Sequence, residues 1–138
     1  MRVMMMIKGD REPGHLPSEE LLAAMGKYNE DLAQAGVLLD MSALHWSAQG
    51  VRVEFSRGER TVHDGPFGEP KETVAGYWIL KVSSMDEAID WAKRLPFEAG
   101  GEPDVVGEIE LRQVFELEEF DGSPAIEQKE ISENAHRG

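Results

Sequence analysis

Residues 74–82 read Val-Ala-Gly-Tyr-Trp-Ile-Leu-Lys-Val, an apolar run broken only by Lys81. A run of this length, with β-branched and aromatic residues at its centre, predicts a strand closed in on both faces in the middle of a sheet. The nine residues before Thr73, Asp64–Glu72, read Asp-Gly-Pro-Phe-Gly-Glu-Pro-Lys-Glu. Two glycines and two prolines there compel a turn. Few folds thread a stiff turn almost directly into a central strand, and the remainder of the chain has to supply that strand's neighbours and its cover.

The neighbours can be read from periodicity. Arg2–Lys8 is a short apolar run stopped by Gly9-Asp10 and predicts a buried strand. Asp10–Pro17 carries two prolines and a glycine and is a loop. Ser18 then caps a helix with Glu19 and Glu20 in its first turn, where the helix dipole favours acids. Leu21, Leu22, Met25, Tyr28, Leu32 and Ala35 fall on one face of that helix, and Gly36 sits where a helix-ending glycine belongs. Val37–Leu39 begins an extended stretch. Val51-Arg52-Val53-Glu54-Phe55 alternates apolar and charged residues, which predicts a strand covered on one face. Arg57-Gly58-Glu59 reads as a hairpin turn returning through Arg60–Val62. Ser84-Met85-Asp86-Glu87 is a capping box opening a second helix whose apolar face is Met85, Ala88, Ile89, Trp91, Ala92 and Leu95, stopped by Pro96. A Gly/Pro-rich loop at 99–103 leads to a last strand, Val105–Phe115, in which Ile109 and Leu111 alternate with Glu108, Glu110 and Arg112.

The order β-α-β-β-α-β predicts an α+β, ferredoxin-like sandwich with an extra hairpin. Both helices must then cover one face of the sheet. Apolar side chains on the other face have nothing in the chain to cover them, and such a face marks an interface. A second copy packed sheet to sheet is the simplest cover. The expectation is a homodimer joined through the exposed sheet face, which closes a dimeric α+β barrel.

A chain of 138 residues is one domain, here 1–117, followed by an acidic tail at 118–138 that is poor in hydrophobic residues. It is long enough to bury roughly two-thirds of its unfolded surface without help. Twenty-seven acids against fourteen bases leave a net charge of −13. The bases are scattered among acids, which argues against a nucleic-acid or anionic-membrane partner. No apolar run reaches the ~20 residues of a membrane helix. The apolar start, Met1–Ile7, is too short for a signal sequence. There is no cysteine, which excludes disulfides, thiolate metal sites and cysteine nucleophiles. The expected location is cytoplasmic.

Candidate chemistry is sparse. Asp64, Glu69, Lys71 and Glu72 crowd one loop beside the aromatic pair Tyr77-Trp78. Asp64 has two readings: its carboxylate closes an Asx-type turn, or it stands at a cleft mouth as a general base with Lys71 polarising an oxygen. His45 lies in the polar-aromatic stretch Leu44-His45-Trp46-Ser47 and is a candidate acid or base, or a loop histidine on the surface. Tyr28 is a core ring with its hydroxyl at an edge, or a pocket residue. Lys71, Glu72, Tyr28 and Trp78 are the candidate ligand-binding set. His63 adjoins Asp64, but neighbours on a strand point to opposite faces. No pair of histidines has metal-ligand spacing, and no phosphate-cradling glycine loop or EF-hand is present. Neither a metal nor a cofactor is expected.

The nonapeptide resembles the DGPF signature of one branch of the YCII-related family, whose usual form is DGPFAETKE followed by a Gly-aromatic strand. Pro17–Asn29, Leu44-His45 and the closing 108–120 segment are similar to the same branch, so the resemblance runs from Met1 to about Phe120. Gly68 and Pro70 depart from it, as do Ser42-Ala43 and Trp46. Better-known YCII-type proteins pair a histidine on the first helix with an aspartate in an Asp-Pro step after the second. Here that helix has no histidine and the step is Leu95-Pro96. The resemblance implies the dimeric barrel fold. It names no reaction. The charged loop abutting Tyr77-Trp78 points to a small organic ligand held beside the sheet, with proton transfer by Asp64 or His45; the resemblance implies, as the alternative, a non-enzymatic module associated with an extracytoplasmic-function sigma factor, whose acidic tail docks on a basic partner.

Overall fold

The computed structural model describes residues 1–99 and 108–120. Strand β1 (Arg2–Lys8) is followed by helix α1 (Glu19–Gln34), strand β2 (Leu38–Ala43), the hairpin of β3 (Val51–Ser56) and β4 (Glu59–Asp64), strand β5 (Val74–Lys81), helix α2 (Met85–Lys93) and strand β6 (Glu108–Gln113). Short 3-10 turns occupy Ser47–Gln49, Pro70–Glu72 and Leu117–Phe120. Residues 100–103 of the predicted loop, residues 105–107 of the last strand and the tail beyond Phe120 lie outside the described residues.

The helix boundaries follow local chemistry. The Ser18 hydroxyl accepts the Leu21 amide at the start of α1. At its end the Val37 amide donates to Leu32 and the Gly36 amide to Ala33, a Schellman closure that puts Gly36 at φ 75°. In α2 the Ser84 hydroxyl accepts the Glu87 amide while the Glu87 carboxylate accepts the Ser83 amide. The β3–β4 turn is Arg57-Gly58, both at positive φ, the backbone that joins twisted strands through two residues.

Four strands form one antiparallel sheet in the order β2-β5-β1-β6. The architecture is α+β, and this open sheet with two helices is compatible with the ferredoxin-like arrangement. Strands β1 and β2 run parallel two places apart, joined through α1, and β5 and β6 do the same through α2. Crossovers of this kind turn with one hand almost without exception, so both helices land on the same face. On that face Val3 and Met5 of β1 and Trp78 and Leu80 of β5 meet Tyr28 and Leu32 of α1 and Ala88 and Trp91 of α2. The three consecutive methionines divide accordingly: Met5 is buried, while Met4 and Met6 point to the other side.

Two predictions about cover are corrected here. Within the chain itself strand β5 is closed on one face rather than both. Gly76, Trp78 and Leu80 are buried, while Ala75, Tyr77 and Ile79 are partly exposed on the side away from the helices. Strand β3 is not covered on one face either. Every residue from Val51 to Asp64 is exposed, and the apolar stripe of Val51, Val53, Phe55 and Val62 faces solvent. The alternation in this hairpin reports a real apolar face, but the described residues bring nothing against it.

Candidate functional site

The loops at one end of the sheet are fastened by a single hydroxyl. Asp10 lies just beyond β1, Ser47 just beyond β2, and Phe67 within the loop that leads from β4 to β5. The Asp10 carboxylate accepts the Ser47 amide at 2.9 Å and the Ser47 hydroxyl. The same hydroxyl oxygen accepts the Phe67 amide at 3.1 Å. Partial burial works to raise the Asp10 pKa. The hydrogen bonds from the Ser47 hydroxyl, the Ser47 amide and the Arg11 amide together outweigh it and hold the carboxyl below its ordinary value of 3.8.

Gly65 is the tightest point of the loop. Its amide donates to the Gly50 carbonyl at 2.9 Å, and the Gly65–Pro66 peptide is cis. A Cβ on Gly65 would lie 1.7 Å from the Ser47 carbonyl oxygen, so backbone packs directly on backbone there. The contacts that hold the turn run through Gly65, Phe67 and Ser47.

Two adjoining clefts flank the segment that this fastening positions. One, of about 250 Å³, lies between the start of α1 and the sheet, with Leu21, Leu22, Met25, Ala75 and Phe97 in its walls. His15 and His45 line it as well. Trp46 sets the rim, its indole N–H donating to the His15 carbonyl at 2.9 Å and its ring meeting the His15 ring edge to face at 6.0 Å. The other cleft, of about 370 Å³, lies towards the hairpin base and is lined by Arg52, Phe67 and Glu72 among others. Leu44, His45 and Trp46 line both. Thr73, whose hydroxyl donates to the Gly9 carbonyl at 2.7 Å, ties β1 to the start of β5 beneath them.

The structure brings together some of the predicted site residues and separates others. His45 is exposed and belongs to both clefts, and Glu72 lines the second. Asp64 ends β4 opposite Val51, and Lys71 is exposed in the Pro70–Glu72 turn; neither lines these clefts. Tyr28 and Trp78 are 5% and 3% exposed. The Tyr28 hydroxyl donates to the Trp91 carbonyl at 2.7 Å, and the Trp78 indole donates to Asn29 at 2.9 Å. Burial pushes the Tyr28 phenol well above its ordinary pKa, with the charge of Arg94 acting the other way. These two side chains are occupied in the core and offer a ligand no surface. Periodicity had not singled out His15, Arg52, Asp10 or Ser47. Among the described residues, no group of three histidines and acids is placed to hold a metal ion, and no helix is long and apolar enough to cross a membrane.

Residues 1–118 match the model of the YCII-related domain, so the chain belongs to the YCII-related family. A relative in Rhizobium meliloti (strain 1021), described as an uncharacterized protein, is 37% identical over 76 residues, covering 55% of this chain and 58% of its own length.

Two outcomes test the fastening. Gly65→Ala should destabilise the fold by about 2 kcal/mol or more, because backbone has to move. Gly68→Ala, with nothing within 4 Å of the added carbon, should stay within about 0.5 kcal/mol of the parent in urea unfolding. Asp10→Asn should also destabilise at neutral pH. Since the native pKa of Asp10 is depressed, its contribution is present above 3.8 and is lost as pH falls through the lowered value. The gap between parent and variant in thermal melts should therefore close on acidification below that point.

Proposed function

We propose that the protein binds a small organic molecule in the apolar cleft between α1 and the sheet, with His45 as the group that can give or take a proton at its rim. The observation that carries this reading is the coincidence, in one cleft, of an apolar wall and two of the chain's four histidines, His15 and His45. Imidazole is the side chain whose ordinary pKa lies nearest neutrality, which suits it to either direction of proton transfer. Trp46 supports the reading by holding the His15 loop in place. Asp64 and Lys71 have no part in it. Binding of Nile red, a neutral apolar dye, tests the cleft. Met25→Glu should weaken dye binding at least tenfold, whereas Val53→Glu on the hairpin should leave it unchanged. Equal effects of the two variants would count against the cleft.

The protein is further proposed to work as a homodimer. The sheet face away from the helices carries Met4, Met6, Tyr77 and Ile79, all partly exposed. Charged residues flank them, including Arg2, Lys8, Glu110 and Arg112, with the Lys8 ammonium 3.8 Å and the Arg112 guanidinium 3.3 Å from the Glu110 carboxylate. An apolar centre with a charged rim is the anatomy of an interface, and a second copy closing a barrel is its simplest occupant. Sedimentation at micromolar concentration should show a dimer, and Ile79→Glu should dissociate it with unchanged helical circular dichroism. A monomeric parent protein would overturn this part of the proposal.

A further inference from the structure

We infer that the cleft on the hairpin side of His45 is a carboxylate subsite, and that the molecule bound across the two clefts is an apolar carboxylic acid; this rests on the reading of the apolar cleft above. The inference starts from Arg52. Its guanidinium carbon lies 3.9 Å from the centroid of the Phe67 ring, so the cation is seated on an aromatic side chain. One nitrogen, Nη2, reaches the Glu72 carbonyl at a long 3.4 Å. Among the described residues no carboxylate comes within ion-pair distance of it, although acids outnumber bases by 27 to 14 in this chain. A guanidinium presents five N–H donors in a planar fork, and the fork matches a carboxylate in two parallel bonds. Stacking on Phe67 orients the plane without using up those donors.

The surroundings decide which anion fits. Arg52 and Phe67 line the larger cleft, and the Leu44–Trp46 segment shared with the apolar cleft separates the two. A ligand passing His45 has its apolar part among Leu22, Met25 and Phe97 and its polar end on the Arg52 side. Two acids also line the Arg52 cleft. Asp10 is engaged by Ser47 on both carboxylate oxygens. Glu72 is exposed and opposes an anion, so a single carboxylate suits the site and a dianion such as phosphate does not. His45 lies between the compartments.

Titration calorimetry with octanoate and with its neutral counterpart octanol tests the inference. Octanoate should bind at least tenfold more tightly than octanol. Arg52→Gln should bring octanoate down to the level of octanol while leaving octanol unchanged, and Arg52→Lys should recover only part of the difference, since an ammonium lacks the fork. Glu72→Gln should tighten octanoate binding. Equal binding of octanoate and octanol, with no effect of Arg52→Gln, would overturn the carboxylate subsite while leaving the apolar cleft standing. Failure of Nile red and both eight-carbon ligands to bind would remove the cleft itself. Arg52 is on an exposed hairpin, so an unchanged melting temperature for Arg52→Gln confirms that the comparison reads binding rather than folding.

Discussion

The hydroxyl of Ser47 joins three segments that are far apart in sequence: the end of β1 through Asp10, the exit of β2 through Ser47 itself, and the loop before β5 through Phe67. Each bond alone is modest, on the order of 1 kcal/mol net, somewhat more where the carboxylate is charged. Their joint effect is geometric. They fix the Leu44–Trp46 segment between two clefts, and they hold Phe67 where Arg52 can lie on it. Gly65 makes the closure feasible, because a side chain there would occupy the space of the Ser47 carbonyl.

Some aromatic residues serve the core and others the candidate site. Tyr28, Trp78 and Trp91 pack edge to face at 6.1–6.2 Å beneath the helices, with the Tyr28 hydroxyl and the Trp78 indole each satisfied inside the protein. Trp46 and Phe67 lie at the sheet end, where one steadies a histidine and the other an arginine. Buried polar atoms with partners specify a core. A cation on a half-buried aromatic ring, with donors to spare, suits recognition instead. The distinction turns on where each hydrogen bond ends, which residue type does not reveal.

Much of the scaffold was legible in the chain. Strand β1 occupies Arg2–Lys8 as the apolar run predicts, and Ser18, Gly36 and Ser84 mark the helix ends because capping is local chemistry read over four or five residues. Cover was harder to read. The Val51–Phe55 alternation identifies an apolar face but says nothing about what meets it, and the run at 74–82 was indistinguishable from a strand buried on both sides. The site was least legible. His45 stood out through its polar-aromatic setting and its resemblance to a family motif. Arg52 looked like an ordinary solvent-facing charge of an alternating strand. Asp10 and Ser47 are 37 residues apart, with no local pattern linking them.

The order of strands and helices, the places where helices begin and stop, and the stiffness of the Asp64–Glu72 turn were determined by the sequence alone, since each depends on backbone preference and periodicity over a few neighbouring residues. The tertiary structure alone decided that Tyr28 and Trp78 are core, that Asp64 stands apart from both clefts, and that His15, His45 and Arg52 lie around one segment. Those outcomes depend on which side of the sheet receives both helices and on hydrogen bonds between loops distant in the chain, and no short-range pattern encodes either.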